Sequence, residues 1–455
     1  MSRIVIDGAA VSTMDDHGTE HGAGHVVVED GLITAVGAGP APRDPAPDRL
    51  VDARGCLVTP GLVNTHHHLY QWATRGYAQQ ATLFEWLTEL YPVWSGLDED
   101  ITGAAAAAGL ARLARTGCTT VADHHYVFPR HGGDVFGAVV HAAGRVGLRL
   151  HAVRGSMDRG RSAGGLPPDD LVETTDAALA GTEQAISRHH DARPGSRVRV
   201  AVGPCSPFSA SPALMTRAAD LARATGTRLH THLAETVEEE EQCWAELHCT
   251  PMEYADRLGW LGPDVWIAHG VHLSEEAVAR LGTTGTGVAH CPTSNGRLGA
   301  GIAPVRALLD AAVPVGLGVD GAASNEDGGL VVELRQAAYL ARLQDGPAAL
   351  TAREALWLAT AGGAACLGRS AELGSLRPGL LADIAVWKLD GLAHAGIDDP
   401  VAALVLGPPP PLALLLVGGV PVVEDDELRT ASEPALAAGL RVASRTLAER
   451  AGAAA

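Results

Sequence analysis

The sequence predicts an α/β protein in which a (β/α)8 barrel carries a small β-sandwich-like domain built from both ends of the chain. Short apolar, β-branched runs recur roughly every 25 to 50 residues through the middle of the chain, with Ala/Leu/Arg-rich helical stretches between them. Both ends alternate strands with turns instead. At 455 residues and 46% apolar composition, the chain can bury a core of this size.

The two ends have the pattern of short strands joined by turns. Asp30-Gly31 is typical of a hairpin turn between two of them. Each end alone is too short to bury much core, which favours one joint domain (residues 1–56 plus 380–455) over two separate small ones. The predicted strands are Arg3–Asp7, His25–Glu29, Leu32–Val36, Ala382–Trp387 and Leu414–Glu424.

The middle, residues 57–379, has the strand–helix alternation of a TIM-type barrel. A doubly wound open sheet is the alternative, but no Gly-rich phosphate loop follows the first strand. The predicted strands are Leu57–His66, Gly117–His125, Leu148–Gly155, Arg197–Cys205, Arg228–Glu235, Val265–Val271, Thr286–Pro292 and Val313–Gly321. Helices are expected at Ile101–Thr116, Ala213–Ala224 and Pro304–Ala312.

The charge, the cysteine content and one uncharged stretch indicate which partners and which cellular location to expect. A net charge of −19 argues against nucleic acid as a partner. Seven scattered cysteines do not form a disulfide framework, so we expect reduced thiols and a cytoplasmic protein. The uncharged stretch Val401–Val423 contains the proline run Pro408–Pro411 and the pair Gly418-Gly419. It is therefore predicted to be a loop followed by a buried strand, with no membrane span.

Three consecutive histidines end the first barrel strand. Because side chains alternate along a strand, His66 and His68 point to the same side, into the barrel, and His67 points away. Two imidazoles placed in this way are typical ligands of zinc or a similar cation.

Further polar residues end three later strands. Strand five carries His230 and His232 on one face with Glu235 three residues on, strand six ends in His269, and strand eight ends in Asp320. The spacing does not say which of His230 and His232 is the ligand. Because barrel enzymes build their sites at these strand ends, the residues are expected to meet.

The chain resembles the amidohydrolase superfamily, in its branch of purine, pyrimidine and triazine deaminases and hydrolases. The motifs that carry the resemblance are Pro60-Gly-Leu-Val-Asn-Thr-His66-His-His68, His232-Leu-Ala-Glu235, Ala268-His269, Gly318-Val-Asp320-Gly-Ala-Ala-Ser-Asn325 and Pro378-Gly-Leu-Leu-Ala-Asp383. The resemblance implies one set of metal ligands, which are His66, His68, His232 and Asp320.

The resemblance also implies how many metals bind. Two-metal members bridge their ions with a carboxylated lysine from strand four, but the only lysine of this chain is Lys388. One divalent metal per chain is therefore expected, with zinc favoured and ferrous iron the alternative.

The same resemblance assigns the catalytic groups. His269 and Asp320 would orient the attacking water, and Glu235 would move its proton to a ring nitrogen and then to the leaving group. A purely structural role for Glu235, at the start of a helix over Thr236–Trp244, is the alternative.

We expect the loops that follow the barrel strands to supply the contacts with the substrate. Gln71 matches a glutamine that contacts the purine in guanine-deaminase relatives, and Cys205 stands where those relatives carry an arginine. Tyr126 and Trp86 are expected to be walls for a flat ring, together with Phe84, although each also suits an ordinary core. The Gly/Arg/Ser-rich segment Gly155–Pro168 is expected to be a mobile lid.

Among the relatives the motifs are most similar to 8-oxoguanine deaminases. This implies a hydrolytic deaminase that releases ammonia from an aminopurine-like heterocycle, 8-oxoguanine giving urate. The alternatives are an s-triazine hydrolase, dechlorinating or deaminating, an isocytosine-type deaminase, and a barrel without catalytic activity. The expected partner is a small heterocyclic substrate, and the relatives imply a homo-oligomer.

Overall fold

A computed structural model describes residues 2–454 of the chain. The described residues form two large sheets and one two-stranded ladder. The strands are β1 (Arg3–Ser12), β2 (Glu20–Glu29), β3 (Leu32–Ala38), β4 (Arg49–Asp52), β5 (Cys56–Pro60), β6 (Leu62–Asn64), β7 (His67–His68), β8 (Cys118–His125), β9 (Arg149–Ser156), β10 (Val198–Pro204), β11 (Arg228–Leu233), β12 (Val265–His269), β13 (Gly287–His290), β14 (Val315–Leu317), β15 (Asp320–Gly321), β16 (Ile384–Lys388), β17 (Leu412–Val417), β18 (Val420–Glu424) and β19 (Glu427–Leu428).

Most of the helices lie between the barrel strands. They are α1 (Leu83–Trp94), α2 (Glu99–Arg115), α3 (Val135–Val146), α4 (Thr175–His189), α5 (Pro212–Thr225), α6 (Val237–Leu247), α7 (Pro251–Arg257), α8 (Glu275–Thr284), α9 (Pro292–Arg297), α10 (Val305–Asp310), α11 (Leu330–Asp345), α12 (Ala352–Leu358), α13 (Ala361–Cys366), α14 (Pro400–Leu406) and α15 (Glu433–Ala454). Two 3-10 helices cover Leu69–Thr74 and Arg161–Ala163. None of the helices among residues 2–454 is long and apolar enough to cross a membrane.

Eight parallel strands form the barrel, in the order β6, β8, β9, β10, β11, β12, β13, β14. The backbone N–H and side-chain hydroxyl of Thr65 both donate to the carbonyl of Leu317, 2.9 Å away in each case, which joins the first and last strands. The predicted fold class is confirmed. The carboxyl ends of all eight strands therefore meet at one rim, as their parallel direction requires.

The second sheet has nine strands and draws on both ends of the chain. Its order is β19-β18-β17-β16-β5-β1-β2-β3, and β4 pairs with β1. The join is antiparallel, with Ile384 opposite Pro60 and Lys388 opposite Cys56. The alternating pattern of both ends fits one sheet because neither could bury its apolar side chains alone.

Two local predictions differ from the structure. The run Leu57–His66 divides at Gly61, where a Cβ would lie 2.2 Å from Thr119 Cγ2, so its first half joins the nine-stranded sheet. The expected loop at the start of Val401–Val423 is helix α14, because the Asp399 carboxylate caps the backbone N–H groups of Val401 and Ala402. The C-terminal segment ends in the long helix α15, which packs on α2.

Candidate metal centre and active site

Three strand ends at the barrel rim have a left-handed backbone. Ala234, His269 and Asp320 have φ values of 54°, 75° and 58°. Such values cost residues other than glycine free energy and persist only where the surroundings enforce them. All three residues border the polar cluster that the sequence predicted. Their backbone conformations therefore help to direct the side chains of the strand ends towards this cluster.

Hydrogen bonds fix the protonation of the first-strand histidines. His230 Nδ1 is 2.8 Å from the carbonyl of Trp266 and must donate to it, so His230 Nε2 accepts from His66 Nδ1, 2.8 Å away. His68 Nδ1 donates to the carbonyl of His124 at 2.6 Å. The Nε2 atoms of His66 and His68 are therefore unprotonated and free to bind a cation.

The other two histidines at the rim are held in the same tautomer. His232 Nδ1 donates to the carbonyl of Cys205 at 2.6 Å, and His269 Nδ1 donates to Asn295 Oδ1 at 2.9 Å. Burial lowers the pKa values of His66 and His232 well below their usual range, which keeps these imidazoles neutral. In the neutral tautomers that these hydrogen bonds select, all four imidazoles present a lone pair on Nε2.

These lone pairs converge with one carboxylate oxygen. Asp320 Oδ1 lies 3.2 Å from the Nε2 atoms of both His66 and His68, and His68 Nε2 lies 3.0 Å from His232 Nε2. The Asp320 Oδ2 atom accepts from Ser294 Oγ at 2.5 Å, which leaves Oδ1 for the centre.

This donor set fits a divalent metal. Acceptor atoms about 3 Å apart with no hydrogen between them repel one another, and His66 Nε2 has no hydrogen-bond partner among the described residues. A cation bound at about 2.0–2.2 Å from each would turn that repulsion into attraction. Of the two histidines on strand β11, His232 faces this centre, whereas His230 lies behind it and orients His66.

The predicted proton carrier borders the metal centre. Glu235 Oε2 lies 3.6 Å from His269 Nε2, and both side chains are buried. Burial, reinforced by the negative charge of Asp320, raises the pKa of Glu235 well above its usual range. The backbone N–H groups of Ala234 and Glu235 donate to the carboxylate of Glu239, which fixes the turn that carries Glu235. Helix α6 begins after this turn, with Thr236 as its N-cap. The turn therefore holds the carboxyl of Glu235 next to His269 at the metal centre.

A small cavity lies beside these groups. It encloses about 30 Å³, well below the roughly 300–1,000 Å³ of an open ligand pocket. All four predicted substrate contacts line it, which are Gln71, Trp86, Tyr126 and Cys205. Leu83, Trp86, Leu87 and Tyr91 cover it from one face of α1, with Phe208 and Leu298. A ring-sized ligand therefore needs α1 or its side chains to move.

One predicted wall, Phe84, and the predicted lid, Gly155–Pro168, do not line the cavity. Phe84 packs against Phe208, with ring centroids 5.0 Å apart, and does not line the cavity itself. The segment Gly155–Pro168 also contributes no lining residue. Its Asp158 carboxylate accepts from the backbone N–H of Ser211 at 2.6 Å, which fastens the segment to the start of α5.

Gln71 lines the cavity with an amide that has no hydrogen-bond partner at either end. It is buried, and neither Oε1 nor Nε2 has a hydrogen-bond partner among the described residues. A Cβ at position 321 would lie 1.7 Å from Gln71 Oε1, so the amide depends on Gly321 for its place. A buried amide with both ends free is suited to a ligand that offers a donor and an acceptor.

The middle histidine supports the centre from behind. The indole N–H of Trp72 donates to His67 Nε2 at 3.2 Å, so His67 carries its proton on Nδ1 and donates it to the carbonyl of Asp320 at 2.5 Å. The backbone N–H of Asp320 in turn donates to the carbonyl of His66. His67 thus points away from the cluster, as its position in the strand predicted, and holds the backbone of Asp320.

Trp72→Phe is expected to weaken metal binding by about tenfold, because it removes the donor that fixes the tautomer of His67. The variant should also lose about 1–3 kcal/mol of stability for the unpaired acceptor. Competition with a chelator measures the first effect and urea unfolding the second. Trp260→Phe is the matched control, since the Trp260 indole donates to the carbonyl of Met215, away from the centre. Equal metal affinity in the two variants would contradict the supporting role.

Sequence reasoning gave no role to two residues behind the ligands. The imidazole of His124 stacks on that of His232 with centroids 5.0 Å apart. The backbone carbonyl of His124 accepts the hydrogen bond from His68 Nδ1. The carboxylate of Asp123 accepts from the backbone N–H of Leu69 at 2.6 Å, and burial raises the pKa of this carboxyl to about 7. Their position at the end of the second predicted strand was the available signal.

Comparison with known proteins extends the similarity over nearly the whole chain. The profile of the Amidohydrolase family matches residues 57–422. The chain is 45% identical to the 8-oxoguanine deaminase of Pseudomonas aeruginosa over 433 residues, which are 93% of this chain and 95% of that enzyme. It is 39% identical to an isoxanthopterin deaminase of an unknown prokaryotic organism, over 93% of each. The zinc complex of an atrazine chlorohydrolase from Arthrobacter aurescens TC1 superposes with a TM-score of 0.92 at 34% identity, over 97% of this chain and 100% of the other.

Proposed function

The chain belongs to the amidohydrolase family, as its motifs predicted, and we propose that it is a deaminase of 8-oxoguanine, releasing ammonia and forming urate. As a member of that family it is a metal-dependent hydrolase of C–N bonds, and hydrolytic deamination is the activity its curated relatives support. The proposal adds the substrate, the metal and the residue roles.

We propose that one zinc ion per chain is held by His66, His68, His232 and Asp320. The support is their neutral tautomers, their mutual distances and the zinc in the related atrazine chlorohydrolase. Lys388, the only lysine, forms an ion pair with Asp425 in the nine-stranded sheet, so no lysine is available to bridge two ions. When bound, the ion would activate water for attack by lowering its pKa.

In this mechanism the protein's own residues orient water and move its protons. His269 Nε2 and the carboxylate of Asp320 accept hydrogen bonds from the attacking water. Glu235 takes a proton from that water and delivers it to a ring nitrogen next to the carbon that carries the amino group, which makes the carbon electrophilic. Glu235 then passes a second proton from the added oxygen to the amino group, which leaves as ammonia while a carbonyl remains.

The observation that carries the substrate proposal is the free amide of Gln71 beside a neutral thiol. Burial raises the pKa of Cys205 to about 12, so this wall of the cavity carries no charge. Gln71 can donate to and accept from a lactam edge, and the small uncharged thiol leaves room for a carbonyl on the five-membered ring of a purine.

The direct test is a panel of 8-oxoguanine, guanine, isocytosine and a chlorotriazine, scored for ammonia and chloride release. Ammonia release from 8-oxoguanine should exceed that from guanine, with urate as the product. The s-triazine hydrolase remains the alternative because of the similarity to the atrazine chlorohydrolase. Faster turnover of the chlorotriazine would replace the proposal by that alternative.

Gln71→Ala is expected to lower kcat/KM for 8-oxoguanine by roughly tenfold or more, because it removes both hydrogen bonds to the lactam edge. Initial rates of ammonia release at several substrate concentrations measure it. Gln79→Ala is the matched control, since Gln79 is an exposed glutamine that bonds only to the carbonyl of Gly76. A chlorotriazine lacks the lactam edge and should be a poor substrate for both variants. Unchanged kcat/KM in Gln71→Ala would remove Gln71 from the substrate site.

A further inference from the structure

A second polar cluster lies inside the barrel at its N-terminal end, opposite the candidate active site. His151 on β9 is the register partner of Arg199 on β10, and each lies two residues before a residue of the barrel interior, Val153 or Ala201. Arg228 starts β11, with its guanidinium 5.6 Å from the interior ring of Trp266. Because side chains alternate along a strand, His151, Arg199 and Arg228 all point inwards below the apolar layer.

Positive charge exceeds negative charge in this cluster. Arg369, from the turn after α13, and Arg199 both contact the same oxygen of Glu372, at 2.8 and 2.7 Å. Arg228 has no carboxylate within ion-pair distance among residues 2–454 and donates to two backbone carbonyls instead. Three guanidiniums therefore share one carboxylate, and buried charge of one sign is costly unless it is balanced.

Three buried side-chain nitrogen atoms of the cluster have no partner among the described residues. They are Arg369 Nη1, Arg228 Nε and His151 Nδ1, and the side chains of Arg369 and His151 are 99% buried. His151 and Arg228 both lie beside the ring of Trp266, with the imidazole centroid 5.2 Å and the guanidinium 5.6 Å from its centroid. Arg228 also reaches the chain next to Arg369, because its Nη1 lies 2.5 Å from the position that a Cβ of Gly368 would take. The unpartnered donors thus belong to one site.

We propose that the N-terminal end of the barrel binds one small inorganic anion between Arg369, Arg228 and His151. An anion accepts from the two guanidinium N–H groups, and from His151 in the tautomer that carries its proton on Nδ1. It also balances the surplus positive charge, which would repel a metal ion. The site is separate from the cavity beside the metal centre and does not depend on the substrate proposed above.

The test follows thermal unfolding of the metal-loaded chain while potassium gluconate is replaced by potassium chloride or potassium phosphate at constant ionic strength. Binding to the folded state should raise Tm saturably, by about 2 °C or more, with one or both anions. Arg369→Gln should abolish this rise. Arg193→Gln, which removes the same charge from an exposed arginine, should keep it. No saturable rise with either anion in the wild type would overturn the proposal, leaving water as the partner of these donors.

Two further measurements keep the test decisive. His151→Gln replaces the second donor by a side chain of similar size and should weaken the anion effect even if Arg369→Gln does not fold. Crystals grown in bromide should show an anomalous peak within hydrogen-bond distance of Arg369 and Arg228. An anion effect that is equal in the wild type, Arg369→Gln and His151→Gln would place binding elsewhere and contradict the proposal.

Discussion

Glu235→Gln is expected to slow turnover by at least about 100-fold while the metal content stays that of the wild type. The amide keeps the shape of the side chain 3.6 Å from His269 Nε2 but cannot carry a proton. General acid–base groups typically contribute about 10²–10⁴-fold, and here one carboxyl serves both proton transfers. Steady-state ammonia release and elemental analysis of the same sample measure the two quantities.

The control for that result is Glu241→Gln, which removes a carboxylate from the exposed face of α6, the helix that follows Glu235. It should turn over at the wild-type rate. If Glu235→Gln retained more than half of the wild-type rate, Glu235 would be only a residue at the start of a helix, and another group would have to carry the proton. Metal loss from Glu235→Gln would instead make it part of the metal centre.

The double variant His66→Ala, His68→Ala is expected to lose both the metal and all measurable turnover. The wild type should hold one metal per chain, because Asp320 Oδ1 lies 3.2 Å from the Nε2 atoms of His66 and His68, and His68 Nε2 lies 3.0 Å from His232 Nε2. No lysine is available to bridge a second ion. Removing two of four ligands leaves a site with too few donors to compete with water. Elemental analysis after dialysis against a mild chelator gives the metal content of each protein.

Exposed histidines provide the matched control. His17 and His248 lie on the surface, and the double variant His17→Ala, His248→Ala should keep one metal per chain and full turnover. Two tightly bound metals per wild-type chain would refute the single-metal proposal. Full metal retention in His66→Ala, His68→Ala would show that the ion sits elsewhere.

The barrel was predictable because its signal is local. Each of the eight predicted strands overlaps a barrel strand of the structure, for example Gly117–His125 with Cys118–His125. A strand needs only a short apolar run bounded by turn residues, and the alternation with helices then fixes the parallel order. The same local signal misassigned Pro400–Leu406, because its apolar residues suit a helix or a loop equally and Asp399 decides between them.

The candidate site was predictable to the level of strand ends. Alternation along the strand placed His66 and His68 on one side and His67 on the other, and the structure has this arrangement. Alternation could not separate His230 from His232, since both point inwards. Their different tasks depend on Trp266 and Cys205, which lie on neighbouring strands.

By itself, the sequence determined the fold class of this protein, the rim where its polar residues gather and the family to which it belongs. Those features depend on periodicity and on motifs within single strands. The tertiary structure decided the tautomers of four histidines, the cover that α1 places over the cavity, the free amide of Gln71 and the unbalanced guanidiniums at the other end of the barrel. These depend on distances between residues far apart in the chain, such as the 3.2 Å between His66 and Asp320, which exist only once the barrel has closed.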